Sequence, residues 1–191
     1  MTENTNSKFP SEADVVIVGV GGIVGSMIAY WLSELGQKNI VGLEKSSVIP
    51  SDIASTAHAS DFVYNTTHDK LGCWTTAYSR KFYEDNGFFL KKGGLEICRK
   101  GDDARWEELK RKVGSGKAFG TNVRLISASE AKEKFPLLDE ESLMGAMWDP
   151  DAGLVIPRSQ DVVSFAVESA KDKGALKTFT DTPAIDFEVE N

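Results

Sequence analysis

The stretch ADVVIVGVGGIVGSMIAYWLSELGQKNIVGLEK, residues 13–45, decides the fold. Ala13 to Gly19 is an apolar run ending in glycine, the pattern of a strand buried on both faces of a parallel sheet. A glycine turn follows, and from Ile23 to Leu35 the apolar residues Ile28, Trp31, Leu32 and Leu35 recur at helical spacing. Gly36 stands where a helix C-cap is needed, and Asn39 to Leu43 reads as a second strand. Strand, turn, helix and strand in so short a stretch make a βαβ unit, whose crossover is expected to be right-handed.

The turn itself is Gly19-Val20-Gly21-Gly22-Ile23-Val24-Gly25, a GxGxxxG spacing one residue longer than the usual GxGxxG fingerprint. Glycines here let the chain turn tightly and let a pyrophosphate approach the backbone at the helix N-terminus, where unpaired N–H groups and the helix dipole favour anions. Glu44 ends the second strand 19 residues after Gly25. A carboxylate there can accept hydrogen bonds from both hydroxyls of an adenosine ribose and would repel the 2′-phosphate of NADP. So far FAD and NAD fit equally. An NAD domain, however, continues as βα repeats, whereas Ser46 to Thr67 is a long, aperiodic Ser/Thr/Ala-rich loop, the insertion pattern of two-domain flavin oxidases.

Farther along, Asp69 to Asp85 reads as a helix, and Phe88 to Lys100 as two short strands around Gly93-Gly94. Asp102 to Val113 is an amphipathic helix and Val123 to Ile126 a strand. Ser127 and Glu130 have capping-box spacing for a short helix that Pro136 ends. Met144 to Trp148 suits a strand and Asp149 to Gly153 a tight turn. Pro157 to Lys173 reads as a helix with Pro at its start, Val162, Val163, Phe165, Ala166 and Ala170 as its buried stripe, and Gly174 as its end. Ala175 to Phe179 and Ala184 to Val189 are strand-like.

At residues 23–45 the chain resembles the opening of the glycine oxidase and sarcosine oxidase superfamily, also called the DAO superfamily. Ala54-Ser55-Thr56-Ala57-His58-Ala59 resembles the loop in which dimethylglycine dehydrogenases and oxidases join a histidine covalently to the flavin. Gly93-Gly94-Leu95-Glu96 resembles their substrate-domain hairpin, and Arg124 to Gly153 the segment after it. The resemblance implies an α/β fold: a Rossmann-like FAD-binding domain carrying part of an inserted α+β substrate domain, and incomplete. Residues 1–60 are expected to begin the FAD-binding domain, 61–155 to hold the inserted helices and strands, and 156–191 to return to the first domain.

It implies a cofactor-binding set of Gly19, Gly21, Gly22, Val24, Gly25, Glu44, Lys45, Ser55, Thr56, Ala57, His58 and Ala184, with the backbone of Ala184 facing the adenine. His58 would carry FAD covalently through a ring nitrogen, with noncovalent FAD as the alternative. The implied activity is oxidative N-demethylation of a secondary or tertiary amine such as dimethylglycine or sarcosine, by hydride transfer to the flavin. Such an enzyme is longer than this chain, so its catalytic residues are expected beyond residue 191, on a continuation or a complementary chain. A non-catalytic nucleotide-binding fragment or subunit of a split enzyme is the second expectation, and an NAD-dependent dehydrogenase a distant third. Trp74, Tyr78, Phe82 and Trp106 fit helix packing faces better than an amine cage, and Arg158 alone is no carboxylate anchor.

Bulk properties narrow the field. A formal charge of −7 argues against nucleic acid and anionic lipid as partners; the small amine expected as ligand is what the resemblance implies. Met1 to Ser11 is polar and lacks an apolar core, so neither a secretory signal nor a transit peptide is read there. Cys73 and Cys98 are far apart and without metal-like spacing, which suggests ordinary thiols, no metal site and a cytoplasmic protein.

Overall fold

A computed structural model describes residues 9–189, so most of the polar Met1 to Ser11 segment lies outside the described residues. The elements run β1 (Val15–Val18), α1 (Ile23–Glu34), β2 (Ile40–Leu43), a 3₁₀ turn (Ser55–His58), β3 (Phe62–Val63) and α2 (Lys70–Asp85). There follow β4 (Phe89–Lys91), β5 (Gly94–Arg99), α3 (Asp103–Ala118), β6 (Arg124–Ile126) and α4 (Ala128–Lys134). A 3₁₀ turn (Glu140–Ser142) leads into β7 (Leu143–Asp149), β8 (Gly153–Val155), α5 (Ser159–Asp172) and β9 (Leu176–Phe179). They form two compact units, residues 9–59 with 159–189 and residues 60–158.

In the first unit β1, β2 and β9 form a parallel sheet with β2 in the middle. Ile40 and Val41 of β2 are buried, and Ile17, Val20, Ala29, Val163, Val167 and Ala170 close one core around Ile40. Fully burying one such valine contributes roughly 1.5–3 kcal/mol. The expectation that β1 is buried on both faces is corrected: Val16 and Val18 are 54% and 52% exposed. β1 is the edge strand of the described sheet, and alternation turns these two side chains away from the core.

α1 forms where the helical spacing placed it, and it packs through its small residues. Its buried residues are Gly25, Ser26, Ala29 and Ser33, whereas Ile28, Trp31 and Leu35 are exposed. Small side chains let its axis come close to the turn after β1 and to α5, and the larger apolar residues are left facing out. Gly36 does end the helix, with φ +89° and its N–H donating to the Ser33 carbonyl. α5 begins at Ser159 rather than at Pro157, and Val167 replaces half-buried Phe165 in its buried stripe. Ala184 to Val189 form no strand: the segment is irregular, with Ile185, Phe187 and Val189 largely exposed.

The second unit holds two antiparallel sheets, ordered β3-β8-β4 and β5-β7-β6. Central β7 is covered on both faces. On one side Met147 packs with Cys98, Leu109, Val113 and Val123, and on the other Ala146 and Leu143 pack with Ile126 and Ala131. α4 carries the capping box in full: Ser127 Oγ accepts from the Glu130 amide at 3.1 Å, and the Glu130 carboxylate accepts from the Ser127 amide at 3.2 Å. α3 runs five residues past Val113, to Ala118, and in this last stretch Gly116 is buried where a Cβ would strike Thr66, Thr121 and Val123. The expected hairpin at Gly93-Gly94 is corrected. β4 pairs with β8 and β5 with β7, so the glycines carry the chain from one sheet to the other.

Candidate functional site

Each glycine of the turn after β1 answers to a different neighbour. Gly19 has φ +83°, a conformation that favours glycine, and its amide donates to the Leu43 carbonyl at 2.8 Å. Val20, between the first two glycines of the motif, is fully buried against β2, where a Cβ on Gly42 would overlap its methyls. A Cβ on Gly21 would lie 2.7 Å from Glu44 Oε2, and one on Gly25 would lie 2.4 Å from the Gly19 carbonyl oxygen. Gly21 and Gly25 therefore serve packing within the turn. Gly22 is different: it is the N-cap of α1, its backbone is extended, and the atom nearest a Cβ there is 3.6 Å away.

Glu44 is 4% exposed, and both of its carboxylate oxygens accept hydrogen bonds. Oε2 accepts from the Gly21 amide at 3.0 Å, and Oε1 from the Ser46 amide at 3.0 Å and the Ser51 hydroxyl at 3.2 Å. These bonds make burial of the carboxylate tolerable. They also tie the end of β2 to the glycine turn at one fixed distance.

Glu44, Lys45, Gly19, Gly22 and Ala184 all line a cleft of about 330 Å³, toward the lower end of the ~300–1,000 Å³ usual for small-molecule sites. Ser51, Ile53, Ala54, Thr182 and Pro183 join them in its walls. Of these, Ser51, Ile53, Thr182 and Pro183 carried no motif in the sequence, whereas Ala54 opens the Ala54 to Ala59 loop that bears the family resemblance. A hydroxyl seven residues past Glu44, Ser51, was the available signal. Ala184 reaches the cleft from an irregular segment, held beside β2 by the Thr182 amide donating to the Glu44 carbonyl at 2.9 Å.

Thr56 does not line this cleft but meets the mouth of α1. Its hydroxyl accepts from the Ile23 amide at 3.0 Å, doing the capping that Gly22 cannot. Ser55 and His58, in the same 3₁₀ turn, are exposed, Ala57 is half-buried, and Val24 is exposed in the first turn of α1. The site residues expected from sequence thus gather around one helix mouth and one strand end, with Gly21 and Gly25 turned inward.

Elsewhere Arg158 pairs with Asp61 at 3.4 Å and His68 with Glu108 at 3.3 Å. Trp106 packs in the second unit's core, as expected, but Trp74 and Tyr78 are 60% and 53% exposed and stack on each other. Cys73 and Cys98 are buried and unpaired, and burial raises the Cys98 thiol above its usual range. Among the described residues no group of three or more His, Cys, Asp or Glu is placed to hold a metal ion, and no helix is long and apolar enough to cross a membrane.

A parallel sheet with a helix N-terminus at one strand end, its Ile23 amide held by Thr56, and a fixed, buried carboxylate at the next defines a dinucleotide-binding unit. A dinucleotide fits it on two counts: the helix mouth has room where Gly22 lacks a Cβ, and Glu44 presents hydrogen-bond acceptors on the cleft wall. Residues 14–191 match the family model described as DAO, FAD dependent oxidoreductase, and the chain belongs to that family.

It is 29% identical over 184 residues to the mitochondrial pyruvate dehydrogenase phosphatase regulatory subunit of Mus musculus, covering 93% of this chain and 20% of that protein. To human mitochondrial sarcosine dehydrogenase it is 27% identical over 165 residues, 82% of this chain and 17% of the enzyme. Among solved structures, L-proline dehydrogenase from P. horikoshii superposes with a TM-score of 0.83 at 28% identity, over 96% of this chain and 48% of that one. The chain therefore spans about a fifth of these curated relatives and about half of the proline dehydrogenase.

Proposed function

We propose that this chain holds FAD in the Glu44 cleft and is the cofactor-binding part of an oxidoreductase acting on an N-methyl secondary or tertiary amine, such as sarcosine or dimethylglycine. The observation that carries the cofactor assignment is the pairing of Glu44 with the open helix mouth at Gly22. Bound there, FAD would supply the hydride acceptor for the carbon beside the amine nitrogen, chemistry that belongs to the cofactor. The chain supplies the hold. Glu44 exchanges the Ser51 hydroxyl for ribose hydroxyls, the N-terminal amides of α1 meet the pyrophosphate, and the backbone at Ala184 borders the adenine. Thr56 keeps the Ile23 amide occupied, so the mouth stays ordered without a side chain at Gly22. His58, exposed at the end of the same 3₁₀ turn, is the residue proposed to carry FAD covalently. No catalytic residue is assigned.

The likeness to sarcosine dehydrogenase supports the amine. A second reading, a nucleotide-binding chain without catalysis of its own, is favoured by the likeness to a regulatory subunit over 93% of the chain. For catalysis we propose a complementary polypeptide, in continuation or as a separate chain, because the exposed valines of β1 leave a sheet face to be covered. A cytoplasmic setting is part of the proposal and rests on the unpaired Cys73 and Cys98.

The test is the visible spectrum of the purified full chain, before and after acid precipitation and then under anaerobic addition of sarcosine or dimethylglycine. Flavin colour that stays with the acid pellet supports FAD and the His58 link, and colour released by acid supports FAD alone. Bleaching by either amine supports the oxidoreductase, whereas bound flavin that neither amine bleaches supports the second reading. A folded, colourless chain that takes up no added FAD overturns both.

A further inference from the structure

A second cavity, of about 620 Å³, lies wholly within residues 60–158, over the face of β5 and β7 that bears Leu95 and Trp148, a cross-strand pair. Phe62 and Tyr64 enter it from β3 and the residue beyond, their rings edge to face at 4.4 Å, and Phe135 enters from the end of α4. Unlike core side chains, Ile97, Tyr64 and Phe135 in its walls are 40%, 37% and 49% exposed. The opening depends on two bare backbone positions. A Cβ on Gly93 would strike the Trp148 ring and one on Gly94 the ring of Phe62, so these rings lie directly on the strand and the space above them stays clear.

Charge then selects the ligand. Lys92 and Lys134 both line the cavity, no acidic residue does, and among the described residues no carboxylate pairs with either. Lys81, Lys91, Lys110, Lys112, Lys171 and Lys173 have acidic partners; what sets Lys92 and Lys134 apart is that both line one cavity whose other walls carry no charge. The Lys134 ammonium instead lies 4.2 Å from the centroid of Trp148, over its face. Aromatic walls with a few placed charges are the ordinary composition of a small-molecule site. No arginine lines the cavity and no helix N-terminus opens into it, the features that suit a phosphate.

We propose that this cavity binds a small organic carboxylate with an aromatic or branched hydrocarbon body, its charge held by Lys92 and Lys134 and its body by Trp148, Phe62 and Tyr64. Binding draws Lys134 off the Trp148 face and puts the ligand in its place. The site shares no residue with the Glu44 cleft and needs no flavin, so its failure and that of the cofactor assignment are read separately.

The test uses the full chain and fluorine NMR titration of 4-fluorophenylacetate, its neutral amide 4-fluorophenylacetamide and 4-fluorophenethylamine. A probe of this size filling the site should saturate with a Kd of ~1 mM or tighter, and the amide should bind at least about tenfold more weakly for want of the charge-assisted contact. The amine should not bind. The double variant K92Q/K134Q, altered only at exposed lysines, should lose about tenfold for the acid and nothing for the amide, while Trp148→Leu should weaken both. Added FAD should leave the titration unchanged. Equal binding of acid and amide, an unaltered K92Q/K134Q, or no saturation by ~10 mM acid would overturn the proposal and leave Lys134 as a partner of the α4 dipole alone.

Discussion

Gly21 and Gly22 are neighbours with separable roles. A methyl group on Gly21 meets Glu44 Oε2 and Ser51 Cβ within 2.8 Å, so Gly21→Ala should destabilise the first unit by about 1–3 kcal/mol, as overpacking does. Gly22→Ser places a favoured N-cap residue in extended backbone with room for its Cβ. Thermal unfolding should show G22S as stable as the parent or slightly more so, while its uptake of FAD falls at least about tenfold because the pyrophosphate approach is filled. Undiminished uptake by G22S would move the pyrophosphate away from this mouth. Glu44 and the glycines were legible because their jobs depend on residue type at fixed spacing. Val20 was not, since its burial against Gly42 depends on a strand that sequence places 22 residues away. Ser51, Thr182 and Pro183 carry no signature, and only folding brings them to the cleft.

Among the elements, local chemistry predicted helices better than it predicted sheets. The capping box at Ser127 and Glu130 and the αL glycine at Gly36 are complete within a few residues, so each appears where the sequence says. In α1 the helical period marked the helix without saying which face packs, and small residues won the closer approach. The β4–β5 hairpin failed because pairing partners lie far along the chain, at β8 and β7. The turn joining those two strands offers a test at this scale. Asp151 accepts from Lys91 and from Asn122 at 2.8 Å; burial alone would raise its carboxyl, but these hydrogen bonds and the Lys91 charge outweigh it and hold the group below its usual range. A carboxyl lowered in the folded state stabilises above the unfolded pKa of ~3.9 and loses that contribution as pH falls through the folded value. Urea unfolding should therefore show a constant gap between the parent and Asp151→Asn near neutrality and a narrowing one below about pH 4. A gap that holds or widens in acid would remove Asp151 from the account.

For the molecule as a whole, what sequence could not reveal is which apolar surface remains uncovered. A run such as VVIV reads as doubly buried, and in the first unit it is buried on one side only. Val16 and Val18 on β1, with Val24 and Ile28 on α1 and Leu35 at its C-cap, leave more exposed hydrocarbon than scattered surface residues account for, on a unit whose sheet, among the described residues, ends at the unpaired edge of β1. The proposed complementary polypeptide would cover it. In its absence copies of the chain should cover one another, so sedimentation of the isolated protein should show mass rising with concentration. Val16→Thr with Val18→Thr keeps β-branched residues in the strand while removing hydrocarbon from its open face. The double variant should lose less than about 1 kcal/mol of folding stability, since both side chains are already more than half exposed, and should stay monomeric where the parent associates. If the parent is itself monomeric at ~100 µM, a concentration at which weak association of micromolar Kd would be populated, this face needs no partner, and the polypeptide that completes the oxidoreductase must dock elsewhere.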